Sequence, residues 1–334
     1  METVLLPING ESVEKAADLL KKGEIVAIPT ETVYGLAGNG LNPDAVKKIF
    51  EAKGRPQDNP LILHICDFEM LNEIAADIPA LGLKLAEAFW PGSLTMIFKK
   101  SSIVPAETNG GMDTVAVRMP KNDHTLSLIR KCGFPLAAPS ANISGLPSPT
   151  VAKHVFDDMN GRIPLVLDGG ACDCGVESTV VCFTEKGVKI LRPGAVTAEM
   201  LSEYCEVEID KTVTSSLETG EKPISPGTKY KHYSPKSEVF VVECDDDKSF
   251  CNYVNSLSGD GIYVLSRSAD GIDKPTLPYG ENSEQEAASL FASLRKSDEL
   301  GAKTVYVRAP QKEGIGLAVY NRLLRAAAFR VIEL

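Results

Sequence analysis

The sequence predicts an α/β protein in two parts, on three observations. Helix-like and strand-like segments alternate from residue 12 to about 206 and again from 238 to 334, the signature of layered helices on a sheet. Between 207 and 237 the apolar periodicity breaks into a run rich in Thr, Ser, Pro, Gly and Lys, which reads as a linker. The length, 334 residues, exceeds one core of typical size and falls short of three.

Taken in order, residues 12–22 place Val13, Ala16, Ala17 and Leu20 on one helical stripe with Gly23 as a stop, and EIVAIPT follows as a strand. PDAVKKIFEAKG is a second helix opening on Pro43. LILHI is a strand, EMLNEIAADI and PALGLKLAEAFW are helices, and SLTMIFKK and TVAVRMP are strands. The alternation continues through HTLSLIRKCG, FPLAAPS, TVAKHVFDDMNG, IPLVLDGG, STVVCFT and VKILRPG. Past the linker, EVFVVE, GIYVLS and KTVYVRAP alternate with three helical stretches and predict a smaller Rossmann-like domain with a three-stranded parallel core. It carries no G-x-G-x-x-G, so nothing there supports dinucleotide binding.

Composition narrows the function. The chain is 43% hydrophobic and 24% charged, which fits a globular core, and 35 basic against 45 acidic residues give a net charge of −10. That balance does not suit a surface that coats a duplex or adheres to a membrane. The longest apolar runs fall far below the roughly 18 residues of a bilayer span, and the start lacks a basic segment ahead of an apolar one. The expectation is a soluble, cytoplasmic protein. Eight cysteines without a C-x-x-C pair read as reduced thiols; Cys172 and Cys174 would bind a metal only with two further ligands. Walker, H-E-x-x-H, G-x-S-x-G and EF-hand patterns are absent, which leaves little support for a nucleophilic enzyme or a zinc hydrolase.

What remains is a set of polar residues at strand ends, each in a turn rich in Gly or Pro. PTETVYGLAG offers Thr30 and Thr32, as ligand hydroxyls or as a helix cap. KGRPQDNP offers Lys53, Arg55 and Asn59. An extended tripeptide would send both cations to one side, to straddle a polyphosphate, whereas an isolated pair of this kind is ordinarily a solvated one. His64 ends an apolar strand, where a core histidine is the alternative. Arg118 ends another and needs either a salt-bridge partner or an anion. Ser140 and Asn142 alternate in PLAAPSANISG, so both could donate to one anionic group. Gly169 and Gly170 add amides, Ser178 and Thr179 hydroxyls, and Arg192 a cation in ILRPGAV. The whole set holds several cations and hydroxyls and few carboxylates, which suits a ligand with several phosphates.

Together these segments resemble a known family. The K-x-R of Lys53 and Arg55, the S-x-N of Ser140 and Asn142, PTETVYGL, GVESTVV, LRPGAV and PGTKYKHYSP, in this order across nearly the whole chain, are similar to the L-threonylcarbamoyladenylate synthases, YrdC-like with an added C-terminal domain. The resemblance implies a YrdC-like catalytic domain over 1–206, a twisted α/β sheet around a concave basic cavity, then a linker or lid over 207–237 and a C-terminal domain over 238–334. It implies synthesis of threonylcarbamoyl-AMP and pyrophosphate from ATP, L-threonine and bicarbonate. A separate transferase complex would pass the product to the adenosine beside the anticodon in tRNA, and direct tRNA binding by this chain is left open. Thr32, His64, Arg118, Ala138 and Ser178 would hold L-threonine. Lys53, Arg55, Asn59, Thr114, Ser140, Asn142, Ser148 and Arg192 would surround ATP, with Lys53 and Arg55 assisting the chemistry. Tyr230, His232 and Tyr233 would close over the nucleotide, and Mg²⁺ would be held mainly by phosphates and water. The family often has Met at the position of Thr228 and Pro at that of Ala171; neither change touches a charge.

Two other classes stay in view. A concave basic sheet can hold an RNA backbone, although the acidic balance and the lack of aromatic strips oppose it. A carbamoyl-transfer relative could share the sheet, but would lack the KYKHY linker with its attached domain.

Overall fold

The computed structural model describes residues 2–215 and 232–334 and builds two sheets from them. The chain starts with β1 (Val4–Pro7), α1 (Gly10–Lys21), β2 (Val26–Ile28), β3 (Gly35–Asn39), α2 (Pro43–Lys53) and β4 (Ile62–His64). It continues with α3 (Phe68–Ile74), β5 (Ala75–Asp77), α4 (Ala80–Phe89), β6 (Leu94–Lys100), α5 (Ala106–Asn109), β7 (Thr114–Arg118), α6 (Asp123–Cys132) and β8 (Leu136–Ala137). Then come α7 (Ala152–Met159), β9 (Leu165–Asp168), β10 (Thr179–Phe183), β11 (Gly187–Arg192), α8 (Ala198–Ser202) and β12 (Glu206–Ile209). These strands form one mixed sheet in the order β1-β9-β2-β3-β8-β4-β7-β6-β10-β11-β12, with β5 on β6.

Local chemistry sets the helix limits. Asn9 caps α1 by accepting from the Ser12 amide, and the Ser12 hydroxyl accepts from the Asn9 amide in return, a reciprocal cap. The stripe of Val13, Ala16, Ala17 and Leu20 is buried as the spacing predicts. Asn42 caps α2 ahead of Pro43, and Gly54 ends it at φ 59°, a left-handed turn that glycine takes without strain.

The second sheet is built from β13 (Glu238–Glu243), α9 (Asp247–Ser256), β14 (Ile262–Leu265), β15 (Thr276–Leu277), α10 (Ser283–Glu299), β16 (Thr304–Arg308), α11 (Gly314–Ala326) and β17 (Val331–Glu333). All its pairings are parallel, in the order β15-β14-β16-β13-β17. The expected three-stranded core is β14-β16-β13; the short β15 and β17, too brief to show a pattern, widen it to five.

Two further expectations are corrected. GLAGN, read as a turn, is strand β3, paired antiparallel with β2 and β8 and buried along most of its length. The run read as linker from 207 begins inside the sheet: β12 pairs in parallel with β11 from Gly187↔Glu206 to Ile190↔Ile209. As an exposed edge strand, EVEI needs little apolar character, which hid it. Among the described residues no helix is long and apolar enough to cross a membrane, and all eight cysteines are free.

The two parts meet over a broad seam. Val33 and Val176 pack into the apolar cluster that contains Tyr233, Leu290 and Phe291. Arg295 of α10 grips Asp158 at 2.7 Å and 3.1 Å and donates to Pro147 O at 2.6 Å, and the Ser234 amide donates to Gly145 O at 2.8 Å.

Candidate active site

The strand directions bring the scattered turns together. In the parallel pair β4/β7, His64 lies opposite Arg118, so both stand at C-terminal strand ends. β11 runs antiparallel to β10, which sets Arg192 opposite Val180, beside Ser178 at the entry of β10. Ser140 makes an isolated bridge to Gly35 and so meets the turn that carries Thr30 and Thr32. The result is one cavity lined by Thr30, Thr32, Arg55, His64, Arg118, Ala138, Ser140, Glu177, Ser178, Arg192, His232 and Tyr233. Eleven residues that the sequence named, Thr30, Thr32, Arg55, His64, Arg118, Ala138, Ser140, Ser178, Arg192, His232 and Tyr233, are among them.

At one end Arg118 is held on three sides. Its Nε donates to Gly92 O at 3.1 Å, Nη1 to Thr32 Oγ1 at 2.8 Å, and Nη2 lies 2.6 Å from Glu31 Oε2 in a buried ion pair. The Thr32 hydroxyl is also 2.8 Å from that of Thr30. Burial first, and then Arg118, pushes His64 down to about 3, so the imidazole is neutral at physiological pH.

At the other end two cations form no ion pair with a carboxylate among the described residues. Arg192 donates from Nε to Ser178 O at 3.0 Å and from Nη2 to Ser178 Oγ at 3.1 Å. Arg55 donates from Nη2 to Pro60 O at 3.3 Å, and its Nε has no hydrogen-bond partner among the described residues. Burial lowers Arg55 to about 10, lowers Arg192, and lowers Lys53 well below its usual range, in each case because a buried cation is short of solvent. An anion delivered here would restore the lost stabilisation. Burial, then Arg55, likewise pushes His232 down to about 3.

The remaining sequence-named residues support this cavity or lie off it. Lys53 is the last residue of α2 and not part of an extended tripeptide, and it does not line the cavity that Arg55 lines. Its ammonium donates to Ser140 O and, at 2.7 Å, to Asn142 O, pinning the S-x-N turn. Asn142 likewise spends its NH₂ on Ile143 O at 2.8 Å and Leu146 O at 2.9 Å, which corrects the picture of two donors side by side. Ser148 donates to Glu177 Oε1. Asn59 is buried beside Arg55, with its carbonyl 3.5 Å from Nη2. Thr114 starts β7, at the opposite end of the strand from Arg118, and does not line the cavity. Tyr230 and Thr228 lie outside the described residues.

Sequence reasoning underrated the carboxylates. Glu31 and Glu177 are both buried, one backing Arg118 and the other on the cavity wall. Each sits inside a motif already singled out, PTETVYGL and GVESTVV, and a single acidic residue in a segment without any other charge was the available signal. Glu177 is paired with Arg322 of α11 at 2.9 Å. That partner stands 145 positions away, in a helix without any local mark.

Comparison with known proteins agrees with this geometry. Residues 18–194 match the family model of Sua5, YciO and YrdC proteins, described as "Telomere recombination", and residues 196–328 match "Threonylcarbamoyl-AMP synthase, C-terminal domain". The chain is 44% identical to the threonylcarbamoyl-AMP synthase of Pyrococcus abyssi over 95% of its length and 94% of that protein, and 41% identical to the one from Bacillus subtilis over 98% and 96%. The solved structure of P. abyssi Sua5 with L-threonine superposes at a TM-score of 0.91 with 43% identity, covering 100% of this chain and 99% of that one. The fold extends to Escherichia coli YciO at a TM-score of 0.54 and 19% identity, over 60% of this chain. With two domain models covering its two parts and relatives of this similarity along its full length, the chain belongs to the Sua5/YciO/YrdC family, in the branch that carries the threonylcarbamoyl-AMP synthase C-terminal domain.

Proposed function

We propose that this protein makes threonylcarbamoyl-AMP and pyrophosphate from L-threonine, bicarbonate and ATP, in the cytoplasm, for the threonylcarbamoyl modification of tRNA, and that a separate transferase complex uses the product. The observation that carries the reading is the convergence of Arg118, Arg55 and Arg192 on one cavity with two differently charged ends.

L-threonine lies at the Arg118 end. The remaining N–H directions of the guanidinium take its carboxylate, and Thr32, neutral His64 and Ser178 surround the rest of the molecule. ATP lies along Arg55, Ser140 and Arg192, with Lys53, Asn142 and Ser148 shaping the wall, and Asn59 and Thr114 beyond it. His232 and Tyr233, which line the cavity, cover the nucleotide.

In the first step the threonine amine adds to bicarbonate carbon, a C–N bond forms, and water leaves as the carbamate appears. A carbamate oxygen then attacks the α-phosphorus of ATP, and the bond to the β-phosphate oxygen breaks to release pyrophosphate. No protein nucleophile enters, so acceleration comes from placing the reactants and from Arg55 and Arg192 stabilising phosphate charge. Among the described residues no three His, Cys, Asp or Glu side chains gather as a metal site, and Glu31 and Glu177 are each bound to an arginine. The protein groups therefore do not fit a metal cage, and no step is assigned to one.

Purified protein given ATP, L-threonine, bicarbonate and MgCl₂ should release pyrophosphate and accumulate a product of the mass of threonylcarbamoyl-AMP. Pyrophosphate release that ignores threonine, or no release at all, overturns the reading.

A further inference from the structure

The geometry points to Arg322 of the C-terminal domain as a positioning residue that keeps the phosphate end of the cavity cationic, by holding Glu177 away from Arg192. The inference rests on the assignment of Arg192 to ATP and gives the attached domain a part in it.

Arg322 is fully buried, though it lies on a helix of the other sheet's domain. Its Nε donates to Glu177 Oε2 at 2.9 Å, and Nη2 to Glu177 O at 3.3 Å. Nη1 donates to Pro193 O at 2.7 Å and to Asn321 Oδ1 at 3.1 Å. One guanidinium thus grips the residue before Ser178 and the residue after Arg192, the two chain segments that form this end of the cavity. The segments are themselves in van der Waals contact: a Cβ on Gly194 would stand 2.7 Å from Glu177 O.

Charge explains why the grip matters. Glu177 is the one carboxylate in the cavity lining, among the described residues, and Arg192 lines the same wall. The ionised form of Glu177 is held by Arg322 first and by Arg192 next, against the opposing effect of burial. Remove Arg322, and Arg192, the next charge holding Glu177 ionised, is drawn in to compensate a buried carboxylate, because an unpaired buried charge is too costly to persist. Arg192 would then be spent on Glu177 rather than on phosphate. The Ser148 hydroxyl on Glu177 Oε1 limits where the carboxylate can turn, but carries no charge to replace the arginine.

The test is a double-substitution cycle on the full chain, with ATP and inorganic tripolyphosphate as calorimetric probes and pyrophosphate release as the activity. Arg322→Met should weaken binding of both probes about ten- to a hundredfold, the effect of one charge-assisted hydrogen bond withdrawn. The KM for L-threonine should change less than the KM for ATP. Arg322→Met with Glu177→Gln should recover most of the affinity, because the competing carboxylate is gone. Arg322→Lys should fall between the parent and Arg322→Met, and it covers the case in which the methionine variant does not fold. If the double variant binds the probes no better than Arg322→Met, or if Arg322→Met binds them as the parent does, the inference is wrong. A parent that binds tripolyphosphate and obeys the cycle, yet makes no threonylcarbamoyl-AMP, would retain Arg322 in its role and overturn the proposed reaction instead.

Discussion

Replacing Arg118 by lysine tests the proposed amino-acid end of the cavity. The guanidinium uses Nε on Gly92 O, Nη1 on Thr32 Oγ1 and Nη2 beside Glu31 Oε2, which leaves a planar face of N–H groups for a carboxylate. Lysine keeps the charge opposite Glu31 but loses the fork, so a substrate carboxylate would be met by one donor in place of two. A hydrogen bond to a charged group contributes about 1.5–3 kcal/mol, so the KM for L-threonine should rise about ten- to a hundredfold while that for ATP moves little. Alanine is a poorer probe. It would strand the buried Glu31 at a cost of about 3–5 kcal/mol, a large share of a typical stability of about 5–15 kcal/mol, and lost activity could then mean lost fold. Initial rates of pyrophosphate release across a threonine titration give the answer. A folded Arg118→Lys variant whose threonine KM stays within about twofold of the parent takes Arg118 out of the amino-acid site, since a lost charge-assisted bond predicts more. A selective rise in the ATP KM would mean the two ends are assigned the wrong way round.

Three other perturbations follow from the geometry. Gly194→Ala puts a Cβ 2.4 Å from the Thr179 amide nitrogen, so the turn must move; displacement of Ser178 and Arg192 by even about 1 Å should cut kcat/KM for ATP about a hundredfold, and an unaffected enzyme would show that the turn has slack. His64, depressed from 6.5 to about 3, stays neutral in the fold while the unfolded chain takes up a proton, so stability is lost as pH falls from 6.5 towards 3. At about pH 5 the loss is on the order of 2 kcal/mol; His64→Gln should lessen the slope of a urea stability curve in that range, to which His232 and His154, depressed likewise, still contribute, and an unchanged slope would contradict the depressed value. Arg295→Ala leaves buried Asp158 without its cation across the domain seam and should lower stability by about 3 kcal/mol in urea unfolding; a midpoint equal to the parent's would mean the pair does not hold the domains together.

Much of the architecture was legible because its signals are local. The apolar stripe of α1, the Pro43 start and Gly54 stop of α2, and the strand-end placing of Thr32, His64, Arg118 and Arg192 all follow from spacing within a few residues. Lys53 shows where local reading fails. Beside Arg55 it looked like one of two cations projecting together from an extended tripeptide, yet it is the last residue of α2 and turns its ammonium back onto the Ser140 and Asn142 carbonyls. Strands β3 and β12 were missed for opposite reasons, one being glycine-rich yet buried, the other an exposed edge with half its residues acidic.

The pairings that decide which charges are free run across long sequence separations, and they sort the cavity into two electrostatic halves. Arg118 carries Glu31 with it, so that end is close to neutral overall while still offering directed N–H groups. A zwitterionic amino acid is also neutral overall, and it needs direction more than net charge. At the far end Glu177 is paired from outside by Arg322, and among the described residues Arg55 and Arg192 form no ion pair with a carboxylate, an excess of positive charge suited to the proposed triphosphate. Composition could report only that cations outnumbered carboxylates in these motifs. The fold gives each carboxylate one ion-pair partner, and that assignment separates a near-neutral end from a cationic end within a single cavity, as the proposed zwitterion and polyanion sites require.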